Sequence, residues 1–192
     1  VLFLLFLSIL LSTSYVQTKL GNYVTQNINK TYNTNLKIGK VNLSFLGSIQ
    51  LKEVEIRDHH KDTLIFVKKI STSILSARKA VNSQLLFDNI TIENAYYYMK
   101  TYKGETTDNM GIFIDSFKSD KPKDSLAPPF ILKASNIYVE NLNFRITDLN
   151  KDIELRFSAS NTGGNLQNLI VNGADFSSNI RGLYFKTNQG LK

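Results

Sequence analysis

Hydrophobic positions along the chain follow successive, distinct periods. Residues Val1 to Leu11 are almost wholly apolar, Ser8 being the only polar side chain, and the first charge is Lys19. From Tyr15 to Tyr32 apolar residues recur every fourth position (Val16, Leu20, Val24, Ile28) and Tyr23 widens the stripe, which predicts an amphipathic helix over 17–35. From Leu36 onward the period falls to two. Leu36 and Ile38 alternate, Gly39 interrupts, and Val41, Leu43 and Phe45 alternate again. Beyond Gly47, Ile49 and Leu51 alternate, followed by Val54 and Ile56. Each slip between these runs requires a bulge or a turn, because a one-residue shift puts the apolar set on the wrong face.

The same style continues to the end. Asp58 to Asp62 is a polar turn, and Leu64 to Val67 opens a new apolar run. Asn89-Ile90-Thr91-Ile92-Glu93-Asn94 is echoed 47 residues later by Asn136-Ile137-Tyr138-Val139-Glu140-Asn141, and each hexad leads into a further strand-like stretch. Such repetition suggests an array of similar strand units. Between the copies, residues 115–129 hold all three prolines and predict a long surface loop. Ile153, Leu155, Phe157, Leu169, Val171, Phe176, Ile180, Leu183 and Phe185 predict further short strands. The expected fold is mainly β: an elongated, open, groove-like antiparallel sheet over 36–192, built from repeats and preceded by two helical segments.

The first of those segments is expected to be a membrane anchor. Its apolar side chains are Leu2, Phe3, Leu4, Leu5, Phe6, Leu7, Ile9, Leu10 and Leu11. Near a bilayer centre such side chains favour insertion by about 0.3 to 0.6 kcal/mol each. About 20 apolar residues cross a bilayer, so residues 1–16 read as a transmembrane span whose beginning lies upstream. The alternative is a cleavable signal with Ser12-Thr13-Ser14 at the cleavage site. Both place the remainder outside the cytosol.

Composition removes several function classes. The net charge of +7 is spread along the chain. It fits either a solvated basic surface or contact with anionic headgroups, and an exported chain would not meet nucleic acid. The absence of cysteine excludes a disulfide framework and thiol metal sites. The two histidines, His59 and His60, are adjacent; on an extended segment neighbours point apart, which makes a poor chelate and favours a plain turn. No nucleophile motif or phosphate loop occurs, so neither an enzyme nor a cofactor is expected. Tyr96-Tyr97-Tyr98 puts aromatics on both faces of a strand.

The order of features resembles the N-terminal part of the TamB branch of the AsmA-like proteins, in the form found in Bacteroidota. The resemblance is carried by the apolar run, Val16-Gln17-Thr18, Leu36 to Val41, Leu46 to Leu51, Val54 to Asp58 and Asp62 to Ile65. It continues through Ile90 to Asn94, Gly111 to Phe117, and the second Asn-Ile-x-Val-Glu-Asn copy with Phe144 to Asp148. It implies a single-pass inner-membrane protein with its bulk in the periplasm, whose apolar-lined groove passes phospholipid towards an outer-membrane Omp85-class partner. One alternating set would line that groove: Leu43, Phe45, Ile49, Leu51, Val54, Ile56, Ile90, Ile92, Ile137 and Val139. The same positions would also build a sealed core. Alternatives are a scaffold for outer-membrane protein assembly, binding client strands at open sheet edges, and a secreted β-rich adhesion protein.

Overall fold

The computed structural model describes residues 13–43, 48–74, 84–116, 131–172 and 175–187. Helix α1 (Ser14–Tyr32) is followed by β1 (Asn35–Leu43), β2 (Ser48–Arg57), β3 (Thr63–Ile74) and β4 (Gln84–Thr101). Then come the short helix α2 (Asn109–Asp115), β5 (Ile131–Asp148), β6 (Leu155–Asn172) and β7 (Asp175–Thr187). The seven strands form one sheet in chain order. The anchor residues Leu2 to Leu11 lie outside the described residues, as does Phe45. Among the described residues no helix is long and apolar enough to cross a membrane.

α1 ends where Asn33 enters the left-handed region at φ 50°, a conformation asparagine tolerates as a helix terminator. The Asn29 amide then clamps the helix to the sheet, donating to the Leu36 carbonyl at 2.8 Å and accepting from the Leu36 N–H at 2.8 Å. The helix starts and stops earlier than 17–35. Its buried side also differs from the expected stripe, since Gln17 and Gly21 are buried while Tyr23 is 70% exposed. An added Cβ on Gly21 would stand 2.9 Å from Val41 Cγ2. The helix therefore packs through its smallest residue, which brings its backbone close to β1 and turns the aromatic ring outward.

One strand pairing is parallel, which corrects the all-antiparallel expectation. β4 and β5 run side by side with Asn89↔Asn136, Ile90↔Ile137, Ile92↔Val139 and Glu93↔Glu140 in register. The two hexads are thus spatial neighbours, with like residues abreast. The Asn136 amide donates to Asn89 Oδ1 at 3.1 Å and the Asn141 amide to Asn94 Oδ1 at 2.7 Å. A parallel pair needs a long crossover; here it includes α2 and the segment expected as a loop over 115–129. Asp115 closes α2, and residues 117–130 lie outside the described ones. The remaining pairings are antiparallel. The tail forms two long strands, and Ile153 falls in a bend, 72% exposed, instead of a strand.

The phase slips read in the sequence are resolved along one line across the sheet. In β1 to β5 the apolar side chains flank a gap of two residues, a step of three: Ile38 to Val41, Leu51 to Val54, Val67 to Ile70, Ile92 to Ala95, and Val139 to Leu142. Strict alternation would send the second half of each strand to the opposite face. Glu53, Asn94 and Asn141 sit in these gaps with φ of 55°, 54° and 56°. A single left-handed residue re-aims the following side chains and bends the strand. Gly39 lies beside Glu53, where an added Cβ would come within 2.9 Å of Glu53 Cβ, so only glycine fits there. β6 makes its own reset at Asn161 (φ 49°), one step along, with register shifts around Leu142. A second line crosses β4 to β6 where Phe87↔Ala134↔Leu169 steps to Ile90↔Ile137↔Leu166, with Asn168 at φ 52°.

Both Asn94→Gly and Asn94→Val remove the bond to Asn141, but only valine resists φ above zero, at a cost of roughly 1–2 kcal/mol. In urea unfolding, Asn94→Gly should cost no more than about 1 kcal/mol. Asn94→Val should cost at least about 1 kcal/mol more than that. Equal losses would show that the left-handed residue is not what holds the phase.

Candidate functional site

Successive strands place their apolar residues in continuous rows. One row runs Leu43, Ile49, Thr72, Ile90, Ile137, Leu166, Ile180. The next runs Val41, Leu51, Ile70, Ile92, Val139, Gly164, Leu183 across the same six pairings. Across the crease, Ile38, Val54, Val67, Ala95, Leu142 and Thr162 form a third, and Leu36, Ile56, Ile65, Tyr97, Phe144 and Ala159 a fourth. Nine of the ten expected lining residues therefore occupy one face, and the tenth, Phe45, lies outside the described residues. Val54, Ile90 and Ile137 are buried and the other six half-buried.

Buried members that pattern reading left out of the lining set are Val41, Val67, Ala95, Ala134, Ala159 and Leu169. Ala95 and Ala134 were not marked as lining because alanine adds little to an apolar pattern and is depleted in strands; their signal was position, three residues from an apolar neighbour across a crease. Two packed clusters result, one around Ile90, Ala134, Ile137 and Leu169, the other around Val54, Val67 and Ala95. Ile70 and Ile92 pack against both, so the clusters are continuous across the crease.

The opposite face is mixed, with a row of charged residues beside an aromatic group of Phe66, Tyr96 and Tyr98. Lys40, Lys52, Lys69, Glu93 and Glu140 stand abreast on it, and Lys69 Nζ meets Glu93 Oε1 at 2.6 Å. The two ends of the apolar face differ. At β1 it is covered by α1, where Gly21 meets Val41. At β7 no described element covers it, and Phe176, Ile180 and Leu183 are 67%, 67% and 57% exposed. Gly164 permits the approach of β7, since an added Cβ would strike the Gly182 carbonyl oxygen.

At one end of the strands, a polar cluster ties the β2–β3 turn to the β4–α2 loop. Asp58, 3% exposed, accepts from the N–H groups of His60 and Asp62, both at 3.0 Å. Its other oxygen accepts from Asn109 Nδ2 at 2.8 Å, and Asn109 Oδ1 accepts from the Lys100 N–H at 2.9 Å. The Tyr102 hydroxyl lies 2.8 Å from both Asp58 Oδ2 and Asp62 Oδ2, its one proton shared. Burial, then these two carboxylates, push the phenol far above its ordinary value. Tyr97, in the apolar row beside Phe144, is pushed up to about 12 by burial and then by Asp108. Asp62 is held below the ordinary 3.8 by its bonds from Lys100 and Tyr102.

His59 and His60 sit in the polar turn expected over 58–62, but their side chains do not point apart: both Nε2 atoms converge on Glu105, at 3.0 Å and 2.7 Å. Period-two reasoning fails there because a turn does not alternate its side chains.

No family model matches the chain, and no curated protein matches it. The likeness to the TamB branch thus stands on the residue patterns quoted above.

Because the folded-state carboxyl of Asp62 titrates below its unfolded value, its contribution is complete above pH 3.8 and is lost as pH falls through the lower folded value. Melting temperatures taken from about pH 7 to about pH 2 should show Asp62→Asn less stable than wild type near neutrality. That gap should close in acid. A gap independent of pH would remove this carboxylate from the acid response.

Proposed function

We propose that this chain is a non-enzymatic lipid conduit of the periplasm, held at the inner membrane by its apolar leader and passing phospholipid towards an outer-membrane Omp85-class partner. The observation that carries the reading is the set of four apolar rows on one face, two of them crossing all seven strands, with a row of charged residues on the reverse. Six strand spacings of about 4.8 Å make each seven-strand row about 29 Å long, nearly twice the acyl depth of one leaflet in a hydrocarbon core of about 30 Å. A phospholipid with about 30 methylenes would incur roughly 25 kcal/mol if its tails crossed water, at about 0.8 kcal/mol per methylene. A continuous apolar trough removes most of that cost and leaves the headgroup in solvent. The basic surface suits an anionic headgroup.

Burial supports a curved face. Val54, Ile90 and Ile137 are buried, yet among the described residues the sheet is accompanied only by two helices. A sheet bent about its apolar side at the creases accounts for this. One observation favours a second reading, a scaffold for outer-membrane protein assembly. β7 is an exposed strand rich in large apolar residues, the kind of edge that accepts an added strand.

Photo-crosslinking in cells separates the two, with a probe at Leu51 in an apolar row or at Lys52 in the charged row on the reverse. Lipid adducts at Leu51 and none at Lys52 are expected for the conduit. Protein adducts without lipid would favour the scaffold, and no adduct at Leu51 would mean a sealed core and end the conduit reading at this part of the chain.

A further inference from the structure

Three metal-ligating side chains meet where the β2–β3 turn faces the β4–α2 loop. His59 Nε2 lies 3.1 Å and 3.0 Å from the two Glu105 oxygens, and His60 Nε2 lies 2.7 Å from Oε1. One ligand atom from each residue falls within 4.8 Å of the other two. We propose that His59, His60 and Glu105 form a binding site for a divalent transition-metal ion of the zinc class. The site is independent of the lipid reading.

The donors are positioned from behind by groups that do not touch the ion. Tyr102 is central: the His60 ring stacks on it at 3.8 Å and 27°, and the His59 ring meets it edge-on at 5.5 Å. Asp58 fixes the turn backbone through the N–H groups of His60 and Asp62. On the facing loop, the Glu105 N–H donates to the Tyr102 carbonyl at 3.0 Å. The Asn150 amide then bonds both the Tyr102 and Glu105 carbonyls at 3.1 Å, while its oxygen accepts from the Gly104 N–H at 2.8 Å. Both loops are thus shaped without an ion, so binding needs little reorganisation.

Donor chemistry and spacing select the ion. Two imidazoles and a carboxylate suit zinc-class ions, whereas magnesium and calcium prefer all-oxygen sites. Ligands bonded to zinc at 2.0–2.1 Å in a tetrahedron stand about 3.3 Å apart, so the His59–Glu105 contact at 3.0 Å and the His60–Glu105 contact at 2.7 Å need lengthen by roughly 0.3 and 0.6 Å. The side chains are 29%, 45% and 29% exposed, which leaves room for water at the fourth position. A bound ion would link residues 45 apart in sequence and lock the turn to the loop.

These are the only two histidines, and the chain has no cysteine, so imidazole coordination can occur nowhere else. Cobalt(II) chloride added to the metal-free intact chain should produce visible ligand-field bands that saturate at one equivalent. Zinc chloride should abolish them, and it should raise the melting temperature reversibly on chelation. Glu105→Gln should weaken binding at least tenfold, and the double variant His59→Ala/His60→Ala should abolish the bands. His60→Asn provides a milder change, and metal-free melting and circular dichroism of each variant establish that it folds. No saturable band in the wild type, or undiminished binding in the folded double variant or in Glu105→Gln, would overturn the site.

Discussion

The architecture depends on keeping one face apolar through strands too long to stay in phase. A β-strand alternates with period two, yet each of β1 to β5 carries apolar residues on both sides of a two-residue gap. Without a reset, half of every strand would turn its apolar side chains to solvent, at roughly 1.5–3 kcal/mol for each large residue. Left-handed residues at Glu53, Asn94 and Asn141 prevent this in β2, β4 and β5, and β1 and β3 keep the same phase without one. Their alignment matters as much as their presence, because a reset in one strand alone would break its ladder with both neighbours. β6 shows that tolerance is finite: its reset is displaced by one step, and the register with β5 is interrupted on either side of Leu142.

Much of this was legible in the sequence because burial writes its period directly into it. The slips at Gly39 and between Leu51 and Val54 are visible without coordinates, and the chosen lining positions share a face wherever they are described. The parallel pairing was not read, although its signal was present: two hexads with like residues can stand abreast in register only if the strands run the same way. Tyr23 misled for a different reason. Helical spacing ranks residues by hydropathy, whereas α1 approaches β1 through Gly21, where the absence of a side chain decides the contact. The convergence of His59 and His60 on Glu105 depends on a partner 45 residues away and on a turn, neither of which local periodicity encodes.

Chemistry is divided by region within the fold. The middle of the strands carries apolar rows with a charged row on the reverse side. The strand ends near Asp58 and Tyr102 carry shared protons and ring stacking, and nearly every side chain there has a partner on another segment. Such a cluster holds connecting loops in place where a single-layer sheet has few packing contacts to offer. The apolar face is thereby free to be shaped by the creases alone, with α1 covering it at β1 and no comparable element beyond β7 among the described residues.

The parallel seam between β4 and β5 has a consequence for how the chain reaches this structure. On either side of it, strands adjacent in sequence pair with one another, so β1–β4 and β5–β7 can each form from short-range contacts. The seam instead joins segments 47 residues apart, after a crossover whose closure entropy must be met first. The topology thus divides the sheet into two blocks of sequentially paired strands joined at the seam. The asparagine ladders then act as a docking code. Asn89 with Asn136 and Asn94 with Asn141 satisfy each other only in the native alignment, and a slip by one residue would sacrifice both bonds and present one block's apolar rows to the other's charged ones.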